Sequence, residues 1–140
     1  MTRRRVARWL HASRRADAAA TARHDRLARD LLAAASSGDG RGIQRLLRAD
    51  AELIVDGGGL VAAPVGPLRG RDDVAAYLIH VLGDGKALAV EPVNGLPGLV
   101  IRRSERRRVV GVLCFRAGRA GIEEAWLVLN PDKLAHWDAR

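Results

Sequence analysis

The last third of the chain is patterned for a sheet. Four runs, "ALAVEPV", "GLVIRR", "RVVGVLCF" and "GIEEAWLVL", are rich in β-branched and apolar residues. Between them lie "NGLP", "SERR" and "RAGRAG", which supply the residues that turns need. Strands this close in sequence fold back on one another, so three or four long antiparallel strands are predicted. A sheet also needs something to bury its apolar face, and the first half of the chain supplies helices.

Leu27, Leu31 and Ala34 recur at i, i+4 and i+7 and mark one apolar helix face. "SSGDG" ends that helix, with Gly38 a natural stop. "RGIQRLLRAD" reads as a second, short helix with Ile43, Leu46 and Leu47 facing inward. "AELIVD" then reads as a short strand, Gly57–Gly59 as a turn or kink, and "LVAAP" as the returning strand. "GRDDVAAYLIHVLG" reads as a third helix, capped by Asp72 or Asp73, with Val74, Tyr77, Leu78 and Val81 on one face. About three helices on one face of a curved antiparallel sheet make an α+β fold. No internal repeat has a fixed period.

The 140 residues, 48% of them hydrophobic, suit one domain with a real core. No apolar run is long enough to span a membrane. The basic N-terminus lacks the apolar segment of a signal peptide, so a cytoplasmic location is expected. Cys114 is the single cysteine, which excludes an internal disulfide and a multi-cysteine metal site. It sits inside "VVGVLCF", where a buried, inert thiol is expected. His11, His24 and His136 have no ligand spacing, and nothing calls for a metal or cofactor.

The formal net charge is +8, and only Lys86 and Lys133 are lysines, so 22 of the 24 basic residues are arginines. With so much alanine and glycine, this is the composition of a GC-rich genome and points only weakly to a polyanion. Distribution says more. Arg3, Arg4, Arg5, Arg8, Arg14 and Arg15 crowd the first fifteen residues with no acid among them. Val6, Trp9 and Leu10 stand at helical spacing in the same stretch. Residues 16–24 are alanine-rich and bury little on this reading. The division is therefore a basic, helical N-terminal arm over 1–24 and a folded domain over 25–140.

The motifs within that domain carry a resemblance. "SGDGRGIQRLLRADAELIVDGGG", "VNGLPGLV" at Val93–Val100 and "NPDKL" at Asn130–Leu134 occur in order. They resemble three signatures of a SnoaL-like (nuclear-transport-factor-2-like) branch, which forms the C-terminal extension of a group of extracytoplasmic-function sigma factors. The resemblance covers roughly residues 25–137. It implies a cone, in which a strongly bent sheet wraps around the helices and leaves a pocket at the open end. It also implies a control role, since the extension folds back on the promoter-binding core. The contact residues it implies are Asp56, Gly57, Gly58 and Gly59, with Asn130, Pro131, Asp132, Lys133 and Leu134. The implied partner is a sigma factor core or RNA polymerase. Two departures stand out. The family often has a lysine after the glycines where this chain has Leu60. At 140 residues there is also no room for the two sigma domains, so the chain reads as a detached extension, a truncated sigma factor or a stand-alone relative.

Other readings compete. "NPDKL" also suits a strand end followed by a capped turn, with Pro131 at a first helical position and Leu134 packed inward. "DGGG" also suits a kink that bends the strand. As a phosphate loop it is poor, because no Lys-Ser pair follows. An isomerase- or polyketide-cyclase-like enzyme, or a small-molecule-binding protein, would use the cone pocket. Its candidates are His80, Glu91, Glu124 and Trp126, but no catalytic set is assembled by spacing alone. Glu123 and Glu124 alternate along a strand, so at most one enters a pocket. Trp126 reads as a core or pocket residue and Trp137 as packing over the sheet's end. A homodimer also remains open. A third reading makes the arm a DNA-binding fragment.

Arginine contacts to phosphate release counterions, so binding of the arm to nucleic acid should weaken steeply with salt and show little sequence preference. Filter binding should show a chain starting at Asp25 losing most of that affinity. Equal binding by both chains would remove the arm from any nucleic-acid role.

Overall fold

The computed structural model describes residues 18–59, 62–83, 85–103 and 108–138. The six arm arginines, Leu60 and the "SERR" turn at 104–107 lie outside these residues.

The first helix, α1 (Ala18–Ser36), begins well before Asp25. The expected face through Leu27, Leu31 and Ala34 does pack on the core, with Leu31 and Ala34 buried and Leu27 half-buried, and it is widened by the buried His24, Ala28 and Ala35. The alanine-rich lead-in thus buries more than its composition suggested, because His24 reaches the core. Its imidazole stacks on Phe115 with centroids 4.2 Å apart, and its Nε2–H donates to the Pro97 carbonyl at 3.0 Å. Gly38, at φ 69°, ends the helix. Asp39 then caps α2 (Gly40–Leu46), its side chain accepting from the Gly42 N–H at 2.9 Å.

Leu47 opens strand β1 (Leu47–Asp56) rather than closing the second helix. "LVAAP" does not return as a strand at Ala62 and beyond. The antiparallel partner of β1 is the two-residue β2 (Leu68–Arg69), pairing Leu53 with Leu68 and Glu52 with Arg69. Pro64 and Pro67 explain the delay, since neither can donate to a ladder. Helix α3 (Arg71–Leu82) starts after Gly70, with no side-chain cap; Asp72 and Asp73 sit in its first turn, where negative charge is favourable, but do not cap it.

Strands β3 (Lys86–Val93), β4 (Leu96–Arg103), β5 (Val109–Gly118) and β6 (Gly121–Val128) form a meander, followed by α4 (Pro131–Asp138). Asn94 and Gly95, both at positive φ, make the β3–β4 turn that the Asn-Gly pair predicts. The six strands run in the order β2-β1-β6-β5-β4-β3 in one curved, open sheet. Every neighbouring pair is antiparallel except β1 and β6, which run parallel. The fold is thus the expected α+β cone, with one parallel pair and, among the described residues, a fourth helix.

The sheet has two faces. Leu53, Leu99, Leu113, Phe115, Ala125 and Leu127 face α1–α3 and build the main core. The alternate residues face outward. There, Val93, Val100, Val109 and Val112 pack beneath Leu134 of α4, and Ile54 packs beside Trp126.

Burial lowers the pKa of His24 below the ordinary 6.5, opposed by its bond to Pro97 and by the charge of Asp25. The unfolded chain therefore takes up this proton first as pH falls. Stability from a neutral His24 is complete above about pH 6.5 and declines below it until the folded value is passed. The melting temperature should show this acid-side slope. In His24→Phe the slope should flatten, at a pH-independent loss of about 1 kcal/mol for the missing hydrogen bond. An unchanged slope in the variant would assign the titration to another group.

Candidate functional site

Parallel neighbours end at the same edge of a sheet. Because Asp56 pairs in register with Val128, the segments that follow β1 and β6 leave from one rim. The Leu129 N–H donates to the Asp56 carbonyl at 2.8 Å, which extends the pairing past the last strand residue.

After β1 the chain turns at once. One carboxylate oxygen of Asp56 accepts from the Gly58 N–H at 3.0 Å, an Asx turn. Gly58 and Gly59 lie at φ 65° and 75°, a conformation that residues with a Cβ adopt at a cost. Gly57 is buried, while Gly58 and Gly59 are exposed.

After β6, Asn130 caps α4. Its side-chain oxygen accepts from the Asp132 N–H at 3.1 Å, and its carbonyl accepts from Lys133 and Leu134 at 3.0 and 3.2 Å. Pro131 takes the first helical position, where a missing N–H is harmless. Leu134 is buried on the outer valines. Asp132 and Lys133 are both exposed.

Two contacts join the segments. The Lys133 ammonium lies 2.5 Å from the second carboxylate oxygen of Asp56. The Asn130 side chain lies so close over Gly58 that a Cβ there would stand 2.2 Å from it. All nine candidate contact residues therefore belong to one structural unit. The surface it shows to solvent consists of Gly58, Gly59, Asp132 and Lys133.

The four pocket candidates are not brought together. His80 is exposed on a groove of about 470 Å³ beside Ser36, Gly38 and Lys86, with no carboxylate among the described residues that line it. Glu91 pairs with Arg102 at 2.6 Å. Glu124 lies 3.7 Å from Arg116, which also reaches Glu123 at 2.9 Å. Strand alternation would separate those two glutamates. An irregularity in the β5–β6 register between Arg116 and Ala117 lets one guanidinium serve both. Trp126 is buried on the outer face, beside a separate cleft of about 260 Å³. Cys114 lines that cleft and is half-buried rather than buried; burial pushes its thiol up to about 12. The cleft escaped the sequence reading, because its walls come from β3, β5, β6 and α4 and only the topology brings them together.

Alanine at Gly59, which has open space around it, should lose about 1–2 kcal/mol from the left-handed backbone alone. Alanine at Gly58 should lose more in urea unfolding, and the excess should vanish in an Asn130→Ala background. Equal losses at the two glycines would show that Asn130 does not pack on Gly58.

No family model and no curated protein matches the chain. Solved structures do. The extracytoplasmic function sigma factor SigJ of Mycobacterium tuberculosis superposes with a TM-score of 0.59 at 23% identity, over 80% of this chain. The match spans 44% of the sigma-factor chain. An NTF2-like protein of unknown function from Mesorhizobium loti matches at TM-score 0.59 and 14% identity, over 79% of this chain and 93% of its own. A putative ketosteroid isomerase from Kribbella flavida matches at TM-score 0.57 and 16% identity, over 77% of this chain and 78% of its own. With the α+β architecture above, these likenesses show that the chain has the NTF2-like fold.

Proposed function

We propose that this chain is a non-catalytic interaction domain that modulates transcription initiation by binding a sigma factor core or RNA polymerase. The observation that carries the reading is the joined rim. Two segments 71 positions apart, if counted from Gly59 to Asn130, meet at one sheet edge and leave a small charged surface above a buried anchor. A kink and an end cap could each be built without the other. Their ion pair and close packing make one shape, and the exposed Asp132 and Lys133 give it both signs of charge. The likeness to SigJ supports the same reading, as do the three ordered motifs. A partner of this kind places the domain in the cytoplasm.

An isomerase- or cyclase-like activity needs an acid-base pair in one pocket. Among the described residues the groove at His80 carries Lys86 and no carboxylate, and the three other pocket candidates lie on the outer face of the sheet. Among the described residues no helix is long and apolar enough to cross a membrane.

Replacing Asp132 and Lys133 together by alanine should change thermal stability little, because exposed ion pairs contribute about 0–1 kcal/mol. The same variant should bind a related sigma factor core at least tenfold more weakly in a pull-down or titration. A large fall in melting temperature with unchanged binding would reduce "NPDKL" to an end cap.

A further inference from the structure

The two edges of the sheet are built differently. One ends in β2, only two residues long, and a very short edge strand offers little to pair with. The other ends in β3, eight residues long, whose one ladder partner among the described residues is β4. None of residues 86–92 is buried, and Ala87 and Pro92 are exposed. Residues 87–90 carry no charge. A strand of this kind presents its outward backbone groups to another strand.

The β3–β4 hairpin fixes which groups these are. Asn94 and Gly95 form a two-residue turn, so Val93 and Leu96, which close it, are a pair that exchanges both hydrogen bonds. Bonded pairs alternate along the ladder. Glu91, Ala89 and Ala87 therefore aim their N–H and C=O groups at β4, while Lys86, Leu88, Val90 and Pro92 aim theirs outward. The pairing of Pro92 with Pro97 agrees, because two prolines face to face have no N–H to exchange. Proline at 92 thus removes an outward donor and keeps the outward carbonyl. The side chains sort the same way. Leu88 and Val90 pack against the main core, and Glu91 pairs with Arg102 on the outer face, so Ala87 and Ala89 belong to the outer face as well.

We infer that β3 pairs antiparallel with β3 of a second copy of this chain, about a twofold axis at Ala89, so that two six-stranded sheets become one. The axis stands normal to the sheet. Ala89 then faces Ala89 of the second copy, Leu88 faces its Val90, and Lys86 faces its Pro92. Three features of the strand favour this partner in this register. Pairs that exchange no bonds bring side chains closest, and here they are Ala89 with Ala89 and Ala87 with Glu91, so two large side chains never oppose each other there. Leu88 and Val90 exchange bonds across the axis and carry the apolar inner face from one copy to the next. Lys86 donates to the Pro92 carbonyl, which places the missing proline N–H at the ends of the ladder rather than its middle. Charge agrees, since the strand has a cation at Lys86 and an anion at Glu91. Antiparallel copies bring those opposite charges together at each end and keep like charges apart. Each copy keeps its own rim on β1 and β6, so the assembly carries two.

Sedimentation equilibrium of the full chain tests the pairing. The wild type should approach twice the chain mass at micromolar concentration. Ala89→Arg sets two like charges face to face on the axis and should weaken dimerisation at least tenfold, while Ala89→Ser should leave it unchanged. Val90→Pro removes an N–H that β4 does not use and should weaken dimerisation as much, with a thermal melt that stays cooperative. In the wild type, hydrogen exchange at the Leu88 and Val90 amides should slow as protein concentration rises. A wild type that stays monomeric would overturn the inference, and so would a dimer equally tight in Ala89→Arg and Val90→Pro. Growth beyond two copies would overturn the closed pairing. Leu88 and Val90 amides that slow only when a sigma factor core is added would give the edge to that partner instead.

Discussion

The pairing of β1 with β6 is the constraint on which the rest depends. These strands are far apart in sequence, and joining them closes a long stretch of chain, although that entropic cost grows only slowly with length. What offsets it is burial on both faces. Leu53 pairs with Ala125 and Val55 with Leu127 toward the helices, while Ile54 pairs with Trp126 on the outside. The two strands are accordingly apolar nearly without alternation at "LIV" and "AWLVL", as expected where both sides are covered. The parallel direction has a further consequence. Antiparallel strands would send "DGGG" and "NPDKL" to opposite edges; parallel ones deliver them to a single rim.

That rim differs in kind from the interior. Inside the cone, His24 and Phe115 stack among leucines, and the Nε2–H of the imidazole donates to the Pro97 carbonyl. At the rim, polar groups are held by local turns and by one another: Asp56 by Gly58 and Lys133, Asn130 by the start of α4. Leu134 ties the rim to the outer valines, so the exposed charges stand on a fixed base. Such an arrangement holds both signs of charge in fixed positions. Glu91 and Glu124 are held by arginines away from the groove at His80.

Much of this was legible in the sequence because it is local. The four strands of the meander, the Asn-Gly turn and the stop at Gly38 follow from short patterns. Where local pattern met a distant partner, legibility failed. Leu47 continues the apolar helix period, yet it pairs with Ile122 as strand. "LVAAP" looks extended, yet its proline excludes ladder bonding until Leu68. His24 sits in an alanine-rich stretch, and nothing nearby announces Phe115. The motif segments meet at one rim, while the Asp56–Lys133 pair and the cleft beside Trp126 required knowing that β1 runs parallel to β6.

The central claim is that the two motif segments act as one recognition surface. Its most direct measurement is an amide chemical-shift map of the chain, labelled with nitrogen-15, during titration with a sigma factor core. The account predicts that shifts at Asp56–Gly59 and Asn130–Leu134 move together, at one common midpoint, while residues around His80 stay still. Shifts confined to the groove at His80, or to one segment without the other, would contradict it.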